Sequence, residues 1–214
     1  MIPARYLIFI ALLFNPLVCQ SQIKGQIHPK EETSIDFEFY FPFEVFRDTS
    51  IYIGRDTFLN SWYSQHLFAM KEPVIFNDTS HREIYRFTWL RTFHNPVAIR
   101  IEKDEENYFL VWKVCDGAGG YDPGALKVNQ QMRISEHDWI EFQSNLSKSK
   151  FWQEETNDSD NMGLDGSHWI LEGKKDDEYH VVDRWTPKAD SKYYQTCNYL
   201  IQLTNYRVRS REKY

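Results

Sequence analysis

Apolar and polar residues fall into two periods along this chain, and the periods divide it into elements. Ile35, Phe37, Phe39, Phe41, Phe43 and Val45 alternate with Asp36, Glu38, Tyr40, Pro42 and Glu44. That is a strand with one apolar face, and Pro42 marks an edge or an end. Asp56 is a good N-cap. After it, Phe58, Leu59, Trp62, Tyr63, His66, Leu67 and Met70 recur at steps of three and four. They predict a helix to about Met70 with these side chains as its buried stripe, stopped at Lys71-Glu72-Pro73. In this stripe His66 reads as a packed residue rather than a ligand.

Strands follow at 84–93, 97–102 and 108–115, separated by turns at His94-Asn95-Pro96 and Asp104-Glu105-Glu106-Asn107. Short turns between successive strands suggest a meander. Arg91 shares a row with Tyr85, Phe87, Trp89 and Phe93, where an arginine must find a carboxylate or reach solvent. The glycine-rich loop 116–124 lacks the Gly-Lys-Ser/Thr of a phosphate loop and the third glycine of a dinucleotide fingerprint. It reads as a wide hairpin turn using positive φ angles, or as a bare backbone, Gly119 and Gly120 foremost, closing over a ligand. A strand at 128–134 precedes a capping box at Ser135-Glu136-His137-Asp138, which opens a helix carrying Trp139, Ile140, Phe142 and Leu146. Residues 153–161 read as a surface loop and 186–193 as a linker. Residues 196–206 form a last strand or short helix before the basic end Arg207, Arg209, Arg211, Lys213. The fold class is therefore α+β: an antiparallel sheet of about five to seven strands with about two helices packed on one side.

The runs 163–173 and 179–185 form a hairpin around Lys174-Lys175-Asp176-Asp177-Glu178. If it is symmetric about Lys175-Asp176, His168 faces Asp183, Ile170 faces Val181 and Glu172 faces Tyr179. Trp169, Val182, Leu171 and His180 then share the other side. A carboxylate facing an imidazole fixes its tautomer and raises its basicity. That suits a general base where a cleft holds substrate, and equally a hydrogen bond that locks two strands. His168 and Asp183 are the catalytic candidates. The wider binding set adds Asp165, Arg184 and Arg91, with Gly119 and Gly120 as a lid. His168 and His180 fall on opposite faces, so they do not share a metal. The chain has no nucleophile elbow, His-Glu-x-x-His or Cys-x-x-Cys, and no cofactor is implied.

Residues 1–21 change the setting of all this. Arg5 precedes an apolar run from Tyr6 to Leu13, continued past Asn15-Pro16 to Val18, which fits a secretory signal peptide. Cleavage is expected after Ser21, with Cys19 and Ser21 at the −3 and −1 places. A competing reading lipidates Cys19, although Val18 is not the small residue such signals place there; a third keeps the leader as an anchor. The run is too short and interrupted to span a bilayer well, and none remains after its removal. The remaining 22–214 is one domain, with 24 basic and 31 acidic residues, net −7. An acidic body repels phosphate backbones and argues against nucleic acid. In an oxidising compartment Cys115 and Cys197 can pair, and so long a loop would contribute roughly 4–5 kcal/mol in the chain-entropy model. The alternative is two buried, inert thiols.

The pattern Gly-Leu-Asp-Gly-x-x-Trp-x-Leu-Glu-Gly at 163–173, followed by Tyr-His-Val-Val-Asp-Arg-Trp at 179–185, resembles a set of uncharacterised exported bacterial proteins. Residues 85–94 and the Gly119-Gly120-Tyr121 loop fit the same resemblance. It implies a similar fold and brings no assigned activity. The expected function is an exported, non-catalytic binding or interaction domain, periplasmic or secreted, acting on a small molecule or an envelope protein. The alternatives are a small hydrolase with His168 as base, and a glycan binder, the last motivated by seven tryptophans.

Overall fold

The computed structural model describes residues 39–47, 55–157, 163 and 165–214. The expected leader, the entry segment after it and positions 35–38 lie outside the described residues. A six-stranded antiparallel sheet forms the centre. Its strands are β1 (Glu83–Arg91), β2 (Val97–Asp104), β3 (Asn107–Cys115), β4 (Leu126–Arg133), β5 (Ser167–Lys175) and β6 (Glu178–Trp185), in the spatial order β4-β3-β2-β1-β5-β6. The first four form the expected meander, and the β5–β6 hairpin adds to the free side of β1. β1 is therefore central and buried on both faces, from Ile84 to Arg91.

Period 2 sorts each strand between those faces. Tyr85, Phe87, Trp89, Val97, Ile99, Ile101, Leu110, Trp112, Trp169, Leu171 and Val182 form one core face. Against it pack α2 (Glu136–Lys148), through Trp139, Phe142 and Leu146, and α3 (Lys192–Leu203), through Cys197, Leu200 and Ile201. The capping box at Ser135 forms as expected: Ser135 Oγ accepts from Asp138 N, and the Asp138 carboxylate accepts from Ser135 N. Ser191 caps α3 by accepting from Tyr194 N. This settles the last apolar stretch as a helix that begins inside the expected linker.

The opposite face carries Leu90, Ala98, Cys115, Ile170 and Val181, and α1 (Arg55–Ala69) covers it with Leu59, Tyr63 and Leu67, joined by Met70 just past its end. Two helices thus share one face, as expected, but they are α2 and α3; α1 stands alone on the other.

Two expectations around α1 are corrected. Residues 39–47 form turns rather than a strand, with Phe41 and Phe46 fully buried and Phe43 73% exposed. Side chains of α1 impose this path. Asn60 donates to the carbonyls of Phe41 and Pro42, Ser64 Oγ accepts from Tyr40 N, and Glu44 takes a left-handed φ of 62°. Asp56 is not the N-cap; it lies within the first turn, and its carboxylate accepts from Glu44 N and Phe46 N. The stripe is also narrower than its spacing implied, since Phe58 is 64% exposed and Trp62 half-buried.

Candidate functional site

The hairpin turn is tighter than expected. β5 runs to Lys175 and β6 starts at Glu178, leaving Asp176-Asp177 as the turn, with Asp176 at a φ of 50°. Aspartate tolerates that left-handed conformation better than most residues. The ladder is consequently displaced by two positions. His168 lies opposite Trp185, and Asp183 opposite Ile170. A displacement of two preserves which face each side chain takes, so His168 and Asp183 still meet, diagonally. Nδ1 of His168 is 3.0 and 3.1 Å from the two Asp183 oxygens.

α1 completes the cluster. The Tyr63 hydroxyl donates to Asp183 Oδ2 at 2.7 Å and lies 2.8 Å from His168 Nδ1. An ionised carboxylate beside Nδ1 favours the proton on that nitrogen and leaves the lone pair on Nε2. Nε2 has no hydrogen-bond partner among the described residues, and the His168 side chain keeps 14% exposure. Trp62 and Trp185 stand edge-on to the imidazole at 5.3 and 4.8 Å between ring centroids. Nε2 is left as an acceptor, but no hydroxyl or thiol among the described residues is bonded to it as a nucleophile would be. What the trio visibly does is tie α1 to two strands.

The other predicted residues do not converge there. Arg91 lies on the α2/α3 face, because it shares the parity of Trp89 and that side of β1. Its guanidinium sits 4.2 Å over the Trp89 ring and donates to the carbonyls of Asn95 and Glu212. It finds carbonyls and a ring instead of a carboxylate. Arg184 also faces away from His168. It binds the Glu154 carboxylate at 2.9 Å and the carbonyls of Glu155 and Thr156, holding residues 154–156 against edge strand β6. Asp165 is exposed and makes no hydrogen bond or ion pair among the described residues. His180 is on the far face, as expected, bonded to the Glu154 carbonyl. Among the described residues no three His, Cys, Asp or Glu side chains gather as a metal would require.

Cys115 and Cys197 are both free and buried, and the sheet separates them: Cys115 packs with α1, Cys197 with the α2/α3 core. The proposed bridge is ruled out by that geometry. Burial, assisted by Asp116, pushes the Cys115 thiol up to about 11, and burial also raises that of Cys197. Both behave as the inert thiols of the alternative reading.

The glycine-rich loop joins β3 to β4 as a wide turn, but positive φ is not what most of its glycines supply. Only Gly124 has one, at 70°. Gly119 and Gly120 are needed for closeness. A Cβ on Gly119 would meet the Leu90 and Arg91 backbone at 2.6–2.7 Å, and one on Gly120 would meet Thr92 at 2.9 Å. Their N–H groups donate to the carbonyls of His94 and Thr92. The loop is thereby pinned over the end of β1, beside α1.

Between that loop and α1 runs a groove of about 800 Å³, which the sequence did not announce. Thr57, Phe58, Ser61, Trp62 and Gln65 form one wall, Gly120 and Tyr121 the other. Beneath it lies His66, fully buried. Trp62 Nε1 donates to His66 Nε2 at 3.1 Å, which places the imidazole proton on Nδ1. Nδ1 has no partner of good hydrogen-bond geometry, although the Gly119 backbone lies close enough to act on it. Burial lowers the pKa of His66 to about 4, outweighing Asp122 and Gly119, which act upward.

Sequence reasoning also missed a buried charge network under α1. Arg86 and Glu172, neither exposed at all, are adjacent across β1 and β5, with Arg86 Nε and Nη2 donating to one oxygen of Glu172 at 2.8 and 2.6 Å. Glu72, just past α1, meets Arg86 at 3.4 Å, Arg100 at 3.0 Å and Lys113 at 2.9 Å. Tyr179 donates to the second Glu172 oxygen. Burial works to raise the Glu72 carboxyl, but Arg100, Arg86 and Lys113 together hold it below its usual range. The available signal was charge set among apolar residues of four strand runs, at Arg86, Arg100, Lys113 and Glu172.

No family model matches the chain, and no curated protein or solved structure is significantly similar to it, so the roles of these residues rest on their geometry.

Proposed function

We propose that this protein is an exported, non-catalytic binding domain, periplasmic or secreted, whose ligand occupies the groove between α1 and the β3–β4 loop. The observation that carries the reading is Trp62. It lines the groove while its indole N–H is held by the buried His66 and its ring abuts His168. A groove wall fixed from beneath is pre-organised, which lowers the entropic cost of binding. The leader pattern at 1–21 supports export, and the groove's size falls in the ~300–1,000 Å³ range of small-ligand sites.

The His168–Asp183 pair supports a second reading, a small hydrolase with His168 as base, since Nε2 carries the free lone pair. Flanking by Trp62 and Trp185, with no nucleophile bonded to Nε2 among the described residues, weighs against it.

Both are tested on the full chain. Ligand screening by NMR should shift the Trp62 indole N–H signal, while chromogenic esters and glycosides should not turn over. Turnover that disappears in His168→Ala would replace the binding reading with the hydrolase. Export predicts a chain recovered outside the cytoplasm that begins at Gln22; an N-terminus still at Met1 would contradict it.

A further inference from the structure

Resting on that reading, we infer that the groove takes a neutral, polyhydroxylated ligand: a stretch of oligosaccharide. The walls supply two kinds of surface. Phe58 and Trp62 lie on α1 with ring centroids 6.0 Å apart and planes 38° apart. Across the groove Tyr121 pairs with Phe93 at 6.4 Å and 33°. Phe58, Tyr121 and Phe93 are 64%, 65% and 58% exposed. Large apolar rings exposed on both sides of one groove are costly unless something covers them. Beside the rings on α1, Thr57, Ser61 and Gln65 line the same wall. Each has both donor and acceptor capacity, matching hydroxyl groups that also do both. A sugar ring combines an apolar C–H face with a hydroxyl rim, and this wall combines aromatic faces with neutral polar groups in the same way.

Charge and backbone narrow the choice. No charged side chain lines the groove among the described residues, so phosphate and carboxylate ligands lack a counter-charge. Nor does the backbone offer an edge for a peptide strand. Past its first turn α1 uses its amides within the helix, Gly120 N donates to the Thr92 carbonyl and Tyr121 N to the Ala118 carbonyl. The walls therefore present side chains rather than a free strand edge, which disfavours strand addition. A proline-rich peptide would use the rings, but its backbone offers chiefly carbonyl acceptors and would leave much of the Thr57, Ser61 and Gln65 acceptor capacity unused.

The test is titration of the full chain with a panel of neutral soluble oligosaccharides of different linkage, and with a proline-rich peptide, following Trp fluorescence and calorimetry. At least one oligosaccharide should bind saturably. Phe58→Ala and Tyr121→Ala, both at exposed positions that leave the fold intact, should each weaken it about three- to tenfold. Ile140→Ser, on the exposed face of α2, should change nothing. The sugar inference is overturned if no oligosaccharide binds, or if binding ignores both substitutions. Binding of the peptide alone, lost in Tyr121→Ala, would remove the sugar and keep the groove. A groove that answers to neither probe, with no shift of Trp62 by any ligand in the wider screen, removes the binding-domain reading as well.

Discussion

Trp62 and His66, one turn apart on α1, are joined by an indole-to-imidazole hydrogen bond of 3.1 Å that only a neutral His66 can accept. The bond links a groove wall to the core, and it makes acid the natural way to disturb both. Burial holds His66 at about 4 in the folded chain, against 6.5 when exposed. The unfolded chain therefore takes up a proton first as pH falls. Stability from this group is complete above about 6.5, declines as pH drops toward 4, and levels off once the folded form also protonates. The total is about 3 kcal/mol. Urea midpoints of wild type and His66→Gln should converge between pH 7 and pH 4.5, because the variant lacks this loss. Parallel decline of the two would show that His66 does not titrate as described.

The Tyr63–Asp183 bond gives a second prediction, about packing instead of pH. Tyr63 is the rivet between α1 and the hairpin, and its hydroxyl is buried against a carboxylate. Removing one partner of a charged hydrogen bond costs roughly 1.5–3 kcal/mol. Tyr63→Phe and Asp183→Ala should each destabilise by at least that much, and the double variant by less than the sum. A coupling indistinguishable from zero in the four-member cycle would deny the contact.

The thiols give a third. Because the sheet lies between Cys115 and Cys197, non-reducing mass spectrometry should find both free, and reductant should leave the melting temperature unchanged. Neither should react with iodoacetamide until denaturant is added, since burial raises both thiols. A mass two hydrogens lighter under oxidising conditions would contradict this arrangement.

These residues also show what a chain reveals by pattern alone. Strand faces were legible because alternation depends only on neighbours two positions away. That is why the pairing of His168 with Asp183 survived a ladder displaced by two: the error lay in the turn, where Asp176 accepts a left-handed angle and shortens the loop. Partners supplied by distant segments were not legible. Nothing near Arg91 announces the Glu212 carbonyl, and nothing near Cys115 tells which side of the sheet α3 will cover. Phe58 and Trp62 have core spacing on α1, yet the turns at 39–47 and the sheet cover only the Leu59–Tyr63–Leu67 side. The misfit between spacing and exposure at those two aromatics is what marks the groove.

The buried charges supply the last prediction, and it separates the worth of a buried ion pair from the cost of breaking it. Arg86 is enclosed with Glu172 on one side and Glu72 on the other, and it also donates to the Pro73 carbonyl at 2.7 Å. Arg86→Met would leave Glu172 without its cation and Glu72 with only Arg100 and Lys113. An uncompensated buried carboxylate is expensive, so the single variant should lose about 3–5 kcal/mol, read as a lower urea midpoint at unchanged m. Arg86→Met with Glu172→Leu removes both halves of the closest pair and should recover most of that loss, because burying two charges cost desolvation in the first place. Salt should barely alter either result, since a pair with no exposure is poorly screened. If the double variant is no more stable than Arg86→Met alone, the energetic weight lies on the Glu72 side of the network, and Glu172 is held chiefly by Tyr179.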